Sequence, residues 1–188
     1  ASIEETSSEK AAVYKARYEA SIAKDPHCVG SYVFLWGQKQ ERTPTWYGLF
    51  TEAGEQSEVI DVMQFLWTGT WPAKRAPHIK SFTINKKKAA DHIYLKPGAT
   101  YPVQAKVTDP SGQPLTARWE LLAESTDLKE GGDRENRPHA IEGLVQEKSF
   151  DKAVLTAPEQ EGAYRLFYYS SDGNNKVATA NIPFFVQK

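Results

Sequence analysis

The sequence predicts an α+β protein in which a helix-strand-helix segment precedes an all-β sandwich. Residues 3–67 hold two stretches with apolar side chains at helical spacing, and a short apolar run separates them. After residue 78 the pattern changes to short alternating runs, divided by turn sequences such as Lys96-Pro97-Gly98. A chain of 188 residues with 40% hydrophobic residues is long enough to build a core in each part.

The first predicted helix covers residues 3–24. Ser7 or Ser8 suits its N-cap, because a hydroxyl group there accepts a hydrogen bond from an unpaired backbone N–H. The helix is expected to end at Asp25-Pro26, since the residue before a proline is driven out of helical geometry. Its apolar face is predicted to consist of Val13, Tyr14, Tyr18 and Ile22.

The apolar run at residues 29–36 predicts a strand that is buried on both faces. It is short and rich in β-branched and aromatic residues, and Gly37 follows it. Polar residues 38–42 and the aromatic pair Trp46 and Tyr47 come next. In a parallel α/β sheet, such groups at the carboxyl end of a strand form ligand sites, so we expect a binding site here.

A second helix is predicted from Ser57 to Trp67, and Gly69 is placed to end it in left-handed geometry. This helix is apolar around much of its girth, so we expect it to be well covered. One strand between two helices cannot pair its own backbone groups. Residues 1–70 are therefore interpreted as the last piece of a larger α/β domain.

Residues 71–77 are predicted to be a linker, and residues 78–188 an immunoglobulin-like β-sandwich. Trp119 lies in the middle of an alternating strand, as the core tryptophan of such domains does. Tyr164 follows Gly162 in the pattern of a tyrosine corner. The seven predicted strands are residues 79–84, 93–95, 101–108, 117–123, 153–156, 163–170 and 177–186.

Composition and motifs argue against several classes of function. The net charge of −1 gives no support for binding nucleic acid or an anionic membrane, and no run is apolar enough for a membrane helix. Cys28 is the single cysteine, so no internal disulfide can form. The histidines lack metal-ligand spacing and no nucleotide-binding motif is present, so neither a cofactor nor a metal is expected. Calcium stays open at four acidic loop residues: Asp109, Asp133, Glu135 and Asp172.

Two sequence blocks resemble bacterial glycoside hydrolases with a family 2-like (β/α)8, or TIM-type, barrel. Residues 28–71, with GSYVFLWGQKQE, TWYGLF and FLWTG, resemble the eighth strand and eighth helix of such a barrel. The helix at 3–24 would then be the seventh helix. The pattern GAYRLFYYSSDG with ATANIPFFV resembles the immunoglobulin-like module that follows these barrels. The resemblance implies a bacterial protein that is periplasmic or secreted.

The resemblance also implies a sugar site. Trp36 matches the tryptophan that ends the eighth strand and forms the apolar floor of a sugar subsite, because a pyranose face stacks on an aromatic ring. Trp46 would add a second platform, and the polar contacts would come from Gln38, Lys39, Gln40 and Glu41. The open alternative is that both tryptophans are core or interface residues and that the charged side chains are simply solvated.

No catalytic residue is expected in this chain. Glycoside hydrolysis needs two carboxyl groups, which in these barrels lie on the fourth and seventh strands, and Glu41 alone is not a pair. The chain is therefore predicted to be an inactive C-terminal region of a glycoside hydrolase. It would meet carbohydrate through that parent enzyme, and the N-terminal barrel portion or self-association would cover its apolar strand.

Two other interpretations remain open. In the first, the sandwich is a non-catalytic module that binds a glycan or a protein, with residues 1–70 packed on it as a cap. In the second, it is a structural spacer, which predicts no exposed aromatic platform. The adjacent aromatic pairs Tyr168-Tyr169 and Phe184-Phe185 place one ring on each face of a strand, so their exposure bears on the choice.

Overall fold

The computed structural model describes residues 2–129 and 132–188, and it has three layers. Two four-stranded sheets form a sandwich, and a layer with two helices covers the outer face of one sheet. The helices are α1 (Ser7–Ser21) and α2 (Glu58–Thr68). The strands are β1 (His78–Ile84), β2 (Tyr94–Leu95), β3 (Thr100–Thr108), β4 (Thr116–Ala123), β5 (Val145–Ser149), β6 (Lys152–Thr156), β7 (Gly162–Ser171) and β8 (Val177–Val186).

The strand order defines an immunoglobulin-like sandwich. One sheet has the order β1-β3-β6-β5 and the other β2-β8-β7-β4. These orders correspond to the ABED and GFC sheets of immunoglobulin domains, with β2 added in parallel beside the last strand. All seven predicted strands are present. The sequence prediction missed β5, because its five residues VQEKS include only one apolar residue and lie at a sheet edge.

Two predicted features of the sandwich core are confirmed. Trp119 packs into the core, with its ring centroid 4.5 Å from that of Tyr168 and 6.1 Å from that of Phe82. The Tyr164 hydroxyl donates a hydrogen bond of 2.9 Å to the Gln160 carbonyl oxygen, which is the contact of a tyrosine corner. These contacts tie the two sheets and the start of β7 together without a disulfide.

The second face of the β7–β8 pair is also buried. Phe167, Tyr169 and Val177 form a small apolar cluster with Leu122 there, and Tyr168 lies in the main core on the opposite face. The covering layer consists of residues 2–77 and is called the N-terminal layer below. Burial on both faces explains why β7 and β8 read as almost unbroken apolar runs.

Polar side chains at the start of α1 join the N-terminal layer to both sheets. The N-cap is Thr6, which makes a capping box with Glu9, so the predicted N-cap at Ser7 or Ser8 is wrong by one residue or two. Ser7 and Ser8 are buried instead. The Ser7 hydroxyl oxygen accepts from the Thr179 backbone N–H at 2.9 Å, and Ser8 accepts from that of Ile79 at 2.9 Å.

An ion pair anchors α2. Asp61 is fully buried, and its carboxylate accepts from the Lys176 ammonium group at 2.5 Å and from the Ala76 backbone N–H at 2.6 Å. A second buried group, Arg165, donates to both carboxylate oxygens of Glu124, to the Asn181 side-chain oxygen and to the Ser2 carbonyl oxygen. These contacts hold the N-terminal layer in a fixed position on the sandwich.

The predicted strand at residues 29–36 is wrong. All eight residues are described, and none belongs to a strand. Val29 and Tyr32 are fully exposed, and Phe34 and Trp36 are more than half exposed. A strand that is apolar on both faces needs a paired neighbour and two covering layers, and residues 29–36 have neither among the residues that the structure describes. The structure therefore gives no support for a barrel end.

The segment between the N-terminal layer and the sandwich is well packed. The Trp71 ring stacks on Phe65 with centroids 4.5 Å apart, and Ala76 and Pro77 are buried. The division into residues 1–70, 71–77 and 78–188 stays a prediction.

In the described ranges, neither helix has the length and apolarity needed to cross a membrane.

Candidate functional site

Five aromatic rings of the N-terminal layer form a surface that we call the aromatic patch: Phe34, Trp36, Tyr47, Phe50 and Trp67. Its centre is Trp36, which is 54% exposed and lies 6.0 Å from Trp67, itself 47% exposed, with 34° between the ring planes. Phe50 meets the Trp36 ring edge-on at 5.5 Å, and Tyr47 meets Phe34 edge-on at 5.8 Å. The two indoles together offer apolar ring surface to solvent.

Backbone contacts hold the aromatic patch in place. The Leu49 N–H donates to the Leu35 carbonyl oxygen at 3.2 Å, and the Phe50 N–H donates to the Gly37 carbonyl oxygen at 3.3 Å. These bonds set Phe50 beside Trp36. Gly48 makes the approach possible, because a Cβ atom there would lie 2.8 Å from the Phe50 carbonyl oxygen.

Helix α1 supports the same surface from below. The Tyr14 hydroxyl donates to the Phe34 carbonyl oxygen, and burial raises the pKa of that hydroxyl above its usual value. The Lys10 ammonium group donates to the Thr45 and Trp46 carbonyl oxygens at 2.6 and 3.0 Å. Helix α1 therefore holds the backbone at Phe34 and at residues 45–46, next to Tyr47.

The polar segment of residues 38–42 follows Trp36 in the chain after one glycine. Gln38 donates from its side-chain amide to the Pro44 carbonyl oxygen at 3.1 Å, which closes the loop. Lys39 and Glu41 form an ion pair with each other. The side-chain amide of Gln40 is buried, and neither its nitrogen nor its oxygen has a partner among the described residues. This amide is the unusual group of the segment, since buried polar groups are nearly always paired.

A polar cleft of about 520 Å³ lies between this segment and a loop of the sandwich. One wall holds Gln38, Lys39 and Gln40, and the other wall comes from residues 132–137. Glu135 fixes the second wall, because its buried carboxylate accepts from the Arg42 backbone N–H at 2.6 Å. The N-terminal layer and the sandwich thus both contribute to the cleft.

The structure separates the predicted site residues into two groups. Trp36 lies in the aromatic patch, and Gln38 and Lys39 line the cleft beside it, with Glu41 bound to Lys39. Trp46 is half-buried and meets only the edge of Tyr47, at 6.4 Å, so it contributes little exposed ring surface.

Two contributors to the site were missed. Trp67 was expected to be covered with the rest of its helix, but it lies in the last turn, where the chain turns away at Gly69. Its place just before the helix C-cap is the signal that would have indicated exposure. Residues 132–137 were missed because they lie about a hundred residues away in the chain, and no local pattern indicates such a contact.

The aromatic pairs of β7 and β8 are largely buried. Tyr168, Tyr169 and Phe184 are each less than 10% exposed, and only Phe185 reaches solvent, at 40%. Burial raises the pKa of Tyr168 to about 12. The sandwich therefore offers no coplanar set of exposed rings from these pairs, and the exposed rings of the patch belong to the N-terminal layer.

Three of the four acidic loop residues considered for calcium accept hydrogen bonds from backbone N–H groups, Glu135 as described above. Asp109 accepts from the Gln113 backbone N–H at 2.5 Å, and Asp172 accepts from that of Asn174 at 2.8 Å, as turn-forming aspartates do. Across residues 2–129 and 132–188, no three His, Cys, Asp or Glu side chains are grouped so as to hold a metal ion.

Comparison with known proteins gives no family. No protein-family model and no curated protein matches the chain. It is similar in structure to the PKD domain of an M14-like peptidase from Thermoplasmatales archaeon SCGC AB-540-F20, with 18% identity and a TM-score of 0.36 over 61% of this chain and 99% of that one. It is also similar to PcoC, a methionine-rich copper resistance protein from Escherichia coli, with 17% identity and a TM-score of 0.35 over 60% and 99%. These TM-scores support no conclusion, so the fold assignment rests on strand order.

Proposed function

We propose that this chain is a non-catalytic glycan-binding module in which the aromatic patch stacks on sugar rings. The observation that carries the proposal is the exposed pair Trp36 and Trp67, with centroids 6.0 Å apart and planes inclined by 34°. Exposed indoles next to polar side chains are suited to a saccharide, because the C–H face of a pyranose is apolar while its hydroxyl groups need hydrogen bonds. A structural spacer would not need such a surface.

The wider proposal is that the module belongs to a glycoside hydrolase and lies near its C-terminus. It is supported by the sequence resemblance at residues 28–71 and by the position of Trp36 beside polar residues. Neighbouring barrel strands would have to come from outside residues 1–188, since residues 29–36 form no strand by themselves. A periplasmic or secreted location is part of this proposal.

Binding is tested with soluble polysaccharides in native gels, where a bound protein migrates more slowly. We expect Trp36→Ala and Trp67→Ala each to weaken binding about tenfold or more, since each removes one stacking surface. Tyr94→Ala is the matched control, because Tyr94 is 58% exposed but lies outside the patch. Equal binding by Trp36→Ala and the unchanged protein would overturn the proposal, as would hydrolysis of a glycoside by the purified chain.

A second candidate function is protein contact through the segment before Trp36. Val29 and Tyr32 are fully exposed apolar side chains in an irregular stretch, which favours a surface that a second copy of this chain covers. We expect light scattering to show a concentration-dependent dimer, and the double variant Val29→Ser with Tyr32→Ser to remain monomeric. A monomer at all concentrations would refute self-association.

A further inference from the structure

The outer face of the β1-β3-β6-β5 sheet is open to solvent, whereas the N-terminal layer covers the outer face of the other sheet. Along β3 every second residue is exposed, and two of the residues between them, Val103 and Ala105, are buried in the core. The exposed positions of β3 are Thr100, Pro102, Gln104, Lys106 and Thr108.

The strand register brings lysines from different strands together on this open face. Gln104 of β3 lies opposite Lys152 of β6 on one side and Thr83 of β1 on the other. Residues directly opposite each other share a face of the sheet, and so does Lys106, which follows Gln104 by two residues. Lys106 and Lys152 are therefore diagonal neighbours, a relation that separates two residues by about 7–8 Å.

Two further lysines belong to the same face. The Lys148 ammonium group donates to the Gln146 side-chain oxygen at 2.6 Å, and Gln146 lies opposite Val154, whose two neighbours in β6 are buried in the core. Lys80 is exposed and follows the buried Ile79 at a bulge in β1. We call the surface formed by these four residues the lysine face: Lys80, Lys106, Lys148 and Lys152.

The positive charge of the lysine face is not balanced by carboxylates. The four strands contain one, Glu147, which lies opposite the core residue Ala153 and so points to the other side of the sheet. Asp109 and Asp151 lie in adjoining turns and accept hydrogen bonds within those turns. Within residues 2–129 and 132–188, none of the four lysines forms an ion pair. A chain with a net charge of −1 thus concentrates cations on one flat surface.

The other side chains of this face indicate which kind of anion it fits. Protein interfaces are enriched in arginine and aromatic residues and depleted in lysine, and proteins that bind single-stranded nucleic acid stack bases on aromatic rings. The outward positions of these strands carry no arginine, tryptophan, tyrosine or phenylalanine. They carry hydroxyl and amide groups instead, on Thr83, Gln104 and Gln146, and such groups can pair with sugar hydroxyls.

We propose that the lysine face binds an acidic polysaccharide, a chain with a carboxylate on each sugar, that lies flat across the strands. Carboxylates of the chain pair with Lys106 and Lys152, and Thr83 and Gln104 bond its hydroxyl groups. The ion pairs form in contact with water, so binding is sensitive to salt. This site lies on the sheet that the N-terminal layer does not cover, so it is independent of the stacking function proposed for the aromatic patch.

The test is titration calorimetry of the 188-residue chain with polygalacturonate. The matched ligand is the same polymer with its carboxyl groups methyl-esterified, because it keeps the sugar chain and loses the charge. We expect binding to polygalacturonate alone at about 0.01 M salt and at least a tenfold loss at about 1 M, where the Debye length falls from about 30 Å to about 3 Å. Equal affinity for the esterified polymer, or no binding of polygalacturonate, would overturn the inference.

A double variant locates the binding. Lys106→Gln with Lys152→Gln should weaken the affinity for polygalacturonate about tenfold, since it removes two exposed ion pairs. The control is Arg17→Gln with Lys24→Gln, which removes the same charge from exposed positions of the N-terminal layer and should change nothing. Equal losses in both double variants would show that net charge acts rather than the lysine face. Tighter binding to single-stranded DNA or to phosphatidylserine vesicles, at equal concentrations of negative charge, would refute the assignment to a polysaccharide.

The two sites are distinguished by opposite patterns of loss. We expect Lys106→Gln with Lys152→Gln to lose polygalacturonate and keep neutral polysaccharides, and Trp36→Ala to do the reverse. If Trp36→Ala loses polygalacturonate while the double lysine variant keeps it, the acidic chain binds the aromatic patch and this inference falls. If Trp36→Ala keeps the neutral polysaccharides, the stacking function fails, and the lysine face is still decided by its own variant.

Discussion

Replacement of Asp61 by alanine should show how firmly the N-terminal layer is joined to the sandwich. Asp61 is fully buried on α2, and the Lys176 side chain that it pairs with is 10% exposed just before β8. The variant leaves the Lys176 ammonium group with only the Gln56 side-chain oxygen, at 2.8 Å, and leaves the Ala76 N–H without its acceptor. Removal of one partner from a buried ion pair costs about 3–5 kcal/mol.

We expect a loss near the lower end of that range, about 3 kcal/mol, because Gln56 still solvates the ammonium group. Asp61→Asn keeps an acceptor for the Ala76 N–H, so its cost should fall by about 1 kcal/mol relative to Asp61→Ala. The double variant Asp61→Leu with Lys176→Met removes both charges, so it should cost less than Asp61→Ala alone. The exposed pair of Lys15 and Glu19, at 3.4 Å, supplies the control, and Lys15→Ala should cost less than about 0.5 kcal/mol.

The assay is urea unfolding followed by two signals. Four of the five tryptophans lie in the N-terminal layer, so fluorescence reports mainly on that layer, while far-ultraviolet circular dichroism reports on the helices and strands of both layers together. Coincident transitions in the unchanged protein would show that the layers unfold as one unit. A loss below about 1 kcal/mol in Asp61→Ala would refute the reasoning on this ion pair, and a separate early fluorescence transition in the unchanged protein would refute the single unit.

The other predictions concern single contacts. Gly48→Ala should lower the free energy of unfolding by about 1–3 kcal/mol and weaken glycan binding, because the new Cβ lies 2.8 Å from a carbonyl oxygen. Gly30→Ala is the control, since no atom lies within 4 Å of its new Cβ, and it should change neither property. Equal stability of the two variants would contradict the close approach at Gly48. Tyr164→Phe should lower the unfolding free energy by about 1 kcal/mol in urea, and no loss would mean that the hydrogen bond to Gln160 contributes nothing. Burial raises the pKa of Tyr168 to about 12 in the folded protein, against 10.0 in the unfolded chain. The contribution of this tyrosine to the free energy of unfolding should therefore be fully present below pH 10 and be lost as the pH rises through 12. An ultraviolet titration that shows every tyrosine ionised by pH 11 would refute this.

The sandwich was the more predictable half of the molecule. Its strands alternate between core and surface or are bounded by Gly, Pro and Asn turns, and those signals are local. Trp119 and Tyr164 were placed correctly for the same reason, since each contact depends on a short stretch of sequence. The edge strand β5 was missed because three of its five side chains are exposed and it carries almost no apolar signal.

The N-terminal layer was less predictable because its structure depends on distant partners. Residues 29–36 have the composition of a buried strand, yet composition does not supply the neighbours that a strand must pair with. The cleft depends on a contact between Arg42 and Glu135, which lie 93 residues apart. Gln40 was a candidate for its polarity, but its unpaired amide is visible only in the structure.

Burial of β7 and β8 on both faces has a consequence for modularity. Immunoglobulin-like domains are commonly treated as cassettes that can be moved between proteins at their strand boundaries. A transferred domain that began at His78 would expose Phe167, Tyr169 and Val177 to solvent. It would also remove the Ser2 carbonyl oxygen that accepts a hydrogen bond from Arg165. The smallest portable unit therefore includes the N-terminal layer, so a gene fusion that transfers this sandwich would carry the aromatic patch with it.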